Sequence, residues 1–267
     1  MLVLMGREEI SERRPGSAAA ALLPPFATNW AVFLDVDGTL LEFGAQPEDV
    51  SIRPGLVGTL DRLRRLVPLA LISGRTLADL DRLFAPLTLP AAGEHGAERR
   101  GRDGRTHVAP ASPSLARARA HLVAWASAHP GARVEDKGLG LALHFRGAPG
   151  LAAEARCAAH DQLQALGSGF VLGVGQMVVE IRPKGWDKGR AVTEFMGEPP
   201  FAGRVPVFVG DDATDEDGFA AANRLGGLSI KVGAGPTVAR WRLAGVAAVV
   251  GWLDRYARWL EPPPAGG

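Results

Sequence analysis

Apolar residues run without a break through Trp30-Ala31-Val32-Phe33-Leu34 and stop at Asp35. A strand covered on both faces has this pattern. It recurs at Leu69-Ala70-Leu71-Ile72, which ends in Ser73-Gly74-Arg75, and at Val205-Pro206-Val207-Phe208-Val209, which ends in Gly210-Asp211-Asp212. Residues 228–232 and 245–250 read as further strands. Between these runs the apolar period lengthens to that of a helix. Leu56, Leu60 and Leu63 lie on one stripe within 54–66, and Thr76 caps a helix expected over 76–84. Helices are also expected over 189–196, 215–222 and 251–260. Strands alternating with helices predict an α/β fold whose parallel sheet is joined by crossover helices.

The middle of the chain follows a different rule. Helical spacing over 114–128 is followed by two stretches of alternating polarity, 133–137 and 141–146, around Gly138-Leu139-Gly140. Helical spacing over 151–166 is again followed by two strands, 170–174 and 176–182, turning at Gly175. Helix–strand–strand, given twice, predicts an antiparallel α+β insert. The expected organisation is a loose tail over 1–28, a core made of 29–107 and 183–260, an inserted cap over 108–182, and a frayed tail over 261–267.

Composition narrows the function classes. The chain has 267 residues, 46% hydrophobic and 22% charged, with a formal net charge of +1. These are ordinary values for a soluble globular protein, and the charge lacks the basic surplus of a nucleic-acid binder. No apolar run is long enough to span a membrane. The single cysteine, Cys157, excludes an internal disulfide and fits a reducing compartment, so the cytoplasm is the expected location. Cys157 itself reads as a helix residue filling space.

Four pieces of candidate chemistry fall at the ends of core elements, where ligands bind in open parallel sheets. In Asp35-Val36-Asp37-Gly38-Thr39-Leu40, two carboxylates two positions apart can face one site. One can attack phosphorus while the other handles a proton. Two anions beside a phosphate require a cation, and hard oxygen ligands suggest Mg²⁺. Ser73-Gly74-Arg75 offers a hydroxyl and backbone N–H groups at a helix start, an anion cradle. Lys188, at another helix start, can neutralise phosphate and aspartate together; Lys184 competes for that role. Gly210-Asp211-Asp212-Ala213-Thr214-Asp215-Glu216 closes a buried strand with a run of acids suited to a metal. Taken singly, each piece also reads as a turn, a cap, a solvated helix end or an acidic helix start.

Taken together and in this order, the four resemble the motifs of the haloacid dehalogenase superfamily. The resemblance covers nearly all of the chain after about residue 29. It implies a Rossmann-like core with an inserted cap, and a phosphatase that works through an aspartyl-phosphate. It implies Asp35 as nucleophile, Asp37 as general acid and base, and Ser73 and Lys188 as holders of phosphate oxygens. Mg²⁺ would sit between the Asp35 carboxylate, the Asp37 carbonyl and Asp211, supported by Asp212 and Asp215.

The cap is expected to choose the substrate. Glu135 and Lys137 share one strand face, as do His144 and Arg146, and Glu180 and Arg182. Six polar side chains can therefore line one sheet face, either solvated or as partners for sugar hydroxyls. Gly93-Glu94-His95-Gly96-Ala97-Glu98, Glu135-Asp136-Lys137, His144-Phe145-Arg146 and Glu180-Ile181-Arg182-Pro183 resemble the trehalose-6-phosphate phosphatases. That resemblance implies that Glu135, Lys137 and Glu180 bind glucosyl hydroxyls, with His95 at the seam of core and cap. Gly74, Arg75, Glu94, His144, Arg146 and Arg182 complete the expected binding set. It also implies a functional pairing with a trehalose-phosphate synthase, and a monomer is the favoured state. Other sugar phosphates, such as sucrose 6-phosphate or mannosyl-3-phosphoglycerate, stay open as substrates, as does a non-catalytic sensing module on the same fold.

Overall fold

A computed structural model of the chain describes residues 23–42, 52–175 and 177–262. Most of the tail expected at 1–28, Gln176 of the expected last cap strand, and residues 263–267 lie outside the described residues.

The continuous apolar runs form the parallel centre of an eight-stranded sheet. β1 (Trp30–Leu34) lies between β2 (Leu69–Ile72) and β10 (Val205–Gly210), and β11 (Leu228–Val232) and β12 (Trp241–Leu243) extend the sheet beyond β10. On the other side, β3 (Ala91–Gly93) pairs parallel to β2. β4 (Glu98–Arg100) and β5 (Thr106–Val108) then add antiparallel edges.

Both faces are covered, which is why β1 does not alternate in polarity. Trp30, Val32 and Leu34 pack into one apolar cluster with α1 (Leu56–Leu66), α2 (Leu77–Phe84) and α7 (Val246–Leu260). Ala31 and Phe33 point the other way, into a cluster with α5 (Lys188–Met196) and α6 (Asp215–Arg224). Thr76 caps α2 as expected, its Oγ1 accepting from the Asp79 N–H at 3.1 Å.

The insert is a second, four-stranded antiparallel sheet in the order β6–β7–β9–β8. Its strands are β6 (Arg133–Asp136), β7 (Leu141–His144), β8 (Phe170–Gly175) and β9 (Val178–Pro183). Leu141, Leu143, Val179 and Ile181 pack under α3 (Leu115–Ser127) and α4 (Ala152–Leu166). The opposite face is left for polar side chains.

Four expectations are corrected. Residues 245–250 form no strand: Val246 opens α7, because Val246, Val249, Leu253 and Ala257 share one buried helical stripe. Residues 23–28 are not loose, since Leu23, Phe26 and Ala27 pack against the first cluster and Tyr256 donates to the Ala27 carbonyl at 2.8 Å. Glu261 is not frayed: its carboxylate accepts from Arg62 on α1 at 2.7 and 2.8 Å. Cys157 fills no space, because it is exposed on α4.

Candidate active site

Parallel strands bring their carboxyl ends together, so residues far apart in the chain meet. Asp35 follows β1 and is 3% exposed. Lys188, the first residue of α5 and 3% exposed, donates from Nζ to Asp35 Oδ1 at 2.8 Å and to Asp215 Oδ1 at 2.7 Å. Asp187 sets that helix start by accepting the Arg190 N–H at 2.7 Å. Asp215 Oδ2 accepts the N–H groups of Asp211 (2.9 Å) and Asp212 (3.0 Å), which folds the acidic loop over the end of β10. Asp212 in turn accepts from the N–H and hydroxyl of Thr214.

Electrostatics follow from this crowding. Burial pushes the Asp35 carboxyl well up, with Asp215 pushing the same way and Lys188 pulling it down. Burial would lower the Lys188 ammonium, but Asp215 and Asp35 hold it high, so it stays charged. Burial, followed by Asp215 and Asp212, lifts Asp211 to about 7. Oxygens of Asp35, Asp211 and Asp215 lie within 4.8 Å of one another. Three carboxylates around one ammonium leave surplus negative charge on hard oxygen donors, a set that suits a small divalent cation. Asp212 stands outside this trio. Both Asp215 oxygens already accept hydrogen bonds, so Asp215 is better placed to position Lys188 and the loop than to ligate directly.

Asp37 turns the other way. Arg75 grips it with two parallel hydrogen bonds, Nε to Oδ2 at 2.8 Å and Nη2 to Oδ1 at 2.7 Å. Ser73, buried after β2, accepts the Arg75 N–H at 3.1 Å. The Glu94 N–H bonds to the Arg75 carbonyl and the His95 N–H to the Ser73 carbonyl, both at 2.9 Å. Glu94 and His95 adopt left-handed φ values of 44° and 59° in that tight turn. The turn lays the His95 ring over Gly74, where a Cβ would come within 2.9 Å of ring atoms. A side chain at 74 would push that ring off its bond to Glu180.

The cap meets the core across this turn. Lys137 Nζ donates to the Gly74 carbonyl at 3.0 Å and to Glu180 Oε1 at 2.5 Å. Glu180 Oε2 lies 2.9 Å from His95 Nε2, and Glu135 Oε2 lies 2.7 Å from His144 Nε2. Lys137 and His95 hold the Glu180 carboxyl low against the effect of burial. Burial would lower Lys137, but Glu180 and Glu135 keep it raised. Burial lowers His95, which favours its neutral form.

One cavity of about 1000 Å³ joins the two halves. Asp35, Asp37, Ser73, Gly74, Arg75, His95 and Lys188 line its core side with Asp211 and Asp212. Glu135, Lys137, His144, Arg146, Glu180 and Arg182, the polar face expected of the insert, line the other. Among the expected residues, Asp215 and Glu94 stand behind the wall. Glu94 accepts the Leu139 N–H of the cap loop at 3.4 Å, and burial with Glu98 lifts its carboxyl to about 8. Lys184 is exposed and takes no part.

Sequence reasoning missed several neighbours. Arg133 also lines the cavity, and its two-residue spacing from Glu135 would have placed it there. Thr39 Oγ1 reaches Asp211 Oδ1 at 3.5 Å. Lys231, buried at the end of β11 beside the acidic loop, had only its place in an apolar strand as a signal.

A doubly wound core with acidic strand ends, facing an antiparallel cap across one cleft, is the architecture of the haloacid dehalogenase phosphatases. The chain belongs to the trehalose-phosphatase family, whose model matches residues 33–247. It is 44% identical over 243 residues to the trehalose-6-phosphate phosphatase of Escherichia coli (strain K12), covering 89% of this chain and 90% of that one. It is also 44% identical over 225 residues to a probable trehalose-phosphate phosphatase of Sinorhizobium fredii, with 84% and 85% covered. The crystal structure of a trehalose-6-phosphate phosphatase related protein superposes with a TM-score of 0.73 at 27% identity, covering 86% of this chain and 97% of that one.

Proposed function

We propose that this enzyme hydrolyses trehalose 6-phosphate to trehalose and inorganic phosphate through an aspartyl-phosphate on Asp35. The observation that carries the reading is the shared cavity, in which the Asp35–Lys188 site faces a cap lined by acids and bases suited to many hydroxyls. A phosphatase for another sugar phosphate would use the same core. Membership of the trehalose-phosphatase family favours the disaccharide.

Asp35 attacks phosphorus while Lys188 and the Ser73 hydroxyl hold phosphoryl oxygens. The bond to the sugar 6-oxygen breaks, and that oxygen takes a proton from Asp37, whose carboxyl must first leave the Arg75 fork and carry that proton. Asp37 then accepts a proton from water, which attacks the phosphorus and frees Asp35. General acid and base help of this kind is typically worth about 10²–10⁴ in rate. Asp35, the Asp37 carbonyl and Asp211 would hold Mg²⁺, with Asp212 and Asp215 as outer support. When bound, the ion supplies positive charge that favours ionised Asp35 and offsets charge on the phosphoryl oxygens. Glu135, Lys137 and Glu180 would read the sugar, with the remaining cap and seam residues around them.

Among the described residues, no helix is long and apolar enough to cross a membrane. The single cysteine supports a reducing, cytoplasmic setting, where a trehalose-phosphate synthase would supply the substrate. Phosphate release from a panel of sugar phosphates, with Mg²⁺ present, tests the assignment. Trehalose 6-phosphate should show the highest kcat/KM. A higher value for sucrose 6-phosphate would transfer the assignment to that ester.

A further inference from the structure

The cavity face of the cap sheet is uneven. β6, β7 and β9 fill it with Arg133, Glu135, His144, Glu180 and the side chains that follow them. β8 adds almost nothing. In its register with β9, Val171 lies opposite Arg182, Gly173 opposite Glu180 and Gly175 opposite Val178, so two of the three β8 positions on the cavity face are glycines. Both glycines line the cavity, with Val174 between them.

Glycine weakens a strand, and nothing in the backbone requires it at 173. Its φ is not left-handed, since Gly173 is absent from the positive-φ positions. A Cβ there would find only ordinary contacts, 3.5 Å to Arg182 Nε and 3.9 Å to Glu180 Cβ and to the Glu180 carbonyl oxygen. A side chain would therefore fit the protein and project into the cavity. The same spot faces a polar atom with no partner, because Arg182 Nε is buried and makes no hydrogen bond. The atom itself is covered, so an oxygen resting on Gly173 accepts from it once the Arg182 side chain shifts toward the shelf.

The position of this shelf along the cavity identifies its occupant. β9 ends at Pro183 and leads into α5, whose first residue is the phosphate-site Lys188. Gly173 and Gly175 lie on the stretch of β8 that runs from that end toward the β8–β9 turn. A substrate held by its phosphate in the core reaches the shelf with the part farthest from the phosphate.

We propose that Gly173 is a specificity-determining residue: the bare β8 shelf receives the second pyranose ring of a disaccharide phosphate, and Arg182 Nε donates to one of its hydroxyls. The inference rests on the function proposed above and assigns one part of the substrate to one part of the cleft. A filled shelf should exclude the second ring and leave the phosphate site unaffected.

The test uses the full-length chain as wild type, Gly173→Ala and Gly173→Val. Three quantities are measured: kcat/KM for trehalose 6-phosphate, kcat/KM for p-nitrophenyl phosphate, and the inhibition constant of glucose 6-phosphate against the second ester. Trehalose 6-phosphate turnover should fall about tenfold for Ala and about a hundredfold for Val, the scale of added methyl groups in a fitted pocket. The other two quantities should stay within about threefold of wild type. The proposal is overturned if Val retains trehalose 6-phosphate turnover within that range, or if the glucose 6-phosphate constant weakens in parallel. A parallel loss on both hydrolysed esters overturns it as well, by making Gly173 a structural residue. Should Val fail to fold, the Ala variant decides alone, since its one methyl meets only van der Waals contacts. A wild-type enzyme that cleaves p-nitrophenyl phosphate but not trehalose 6-phosphate refutes the proposed function, and the occupant of the shelf with it.

Discussion

Lys188 donates to Asp35 at 2.8 Å, although 153 residues and the whole insert separate them in the chain. The same ammonium holds Asp215, so one cation balances two carboxylates that are almost wholly buried. Removing it leaves both without a counter-charge, although Asp215 keeps the N–H groups of Asp211 and Asp212. Lys188→Met should abolish phosphatase activity and destabilise the fold by about 3–5 kcal/mol, the usual cost of breaking a buried ion pair from one side. Urea denaturation at neutral pH measures this. A loss below about 1 kcal/mol would mean that the carboxylates take up protons or water at little cost.

Lys137 and Glu180 have two tasks, since they face the cavity and also tie the cap to Gly74 and His95. Alanine at 135, 137 or 180 should cut kcat/KM for trehalose 6-phosphate at least about a hundredfold, as expected for hydrogen bonds to charged groups. Turnover of p-nitrophenyl phosphate should stay nearly intact in Glu135→Ala, whose partner His144 lies within the cap. If Lys137→Ala and Glu180→Ala lose both esters equally, their contacts with the core matter more than their contacts with sugar.

Much of this was legible in the sequence because local pattern and tertiary role agree. Continuous apolar runs ending in Asp35, Ser73 and Gly210 could only be strands covered on both faces, and their ends had to converge. The alternation at 133–137 and 141–146 likewise placed one polar face before any contact was known. β3, β4 and β5 were not legible, since three residues carry no period and their pairing is set by distant partners. Val246-Ala247-Ala248-Val249-Val250 fits strand and helix equally, and only Leu253 and Ala257 one and two turns on settle it. Glu94 was expected in the binding set together with His95, which does line the cavity. The left-handed turn that sends Glu94 behind the wall is not written in residue type.

Glu94 gives stability a pH dependence. Its carboxyl is lifted from 4.5 to about 8 by burial and Glu98, with Glu180 adding to the rise and Lys137 and the Leu139 N–H opposing it. The folded state therefore holds a proton that the unfolded chain has already lost above pH 4.5. The associated stability is fully present below that pH and is lost as pH rises through about 8. Glu94→Gln cannot ionise. Its Tm relative to wild type should rise steadily between pH 5 and pH 9. A constant difference across that range would show that Glu94 is already ionised in the fold.

Asp35, Asp211 and Asp215 crowd their oxygens within 4.8 Å, and burial raises all three carboxyls. A bound divalent cation should relieve that cost, so Mg²⁺ should raise Tm in a concentration-dependent way. Exhaustive EDTA treatment should abolish activity and Mg²⁺ should restore it. Full activity in chelated protein would remove the metal from the account.

The central claim is covalent catalysis by Asp35 on trehalose 6-phosphate. The most direct measurement is phosphate release from that ester by wild type and by Asp35→Asn, with Mg²⁺ present and folding checked by circular dichroism. The account predicts rapid release by wild type and nearly complete loss in a folded Asp35→Asn protein. Substantial turnover by the folded variant would contradict it.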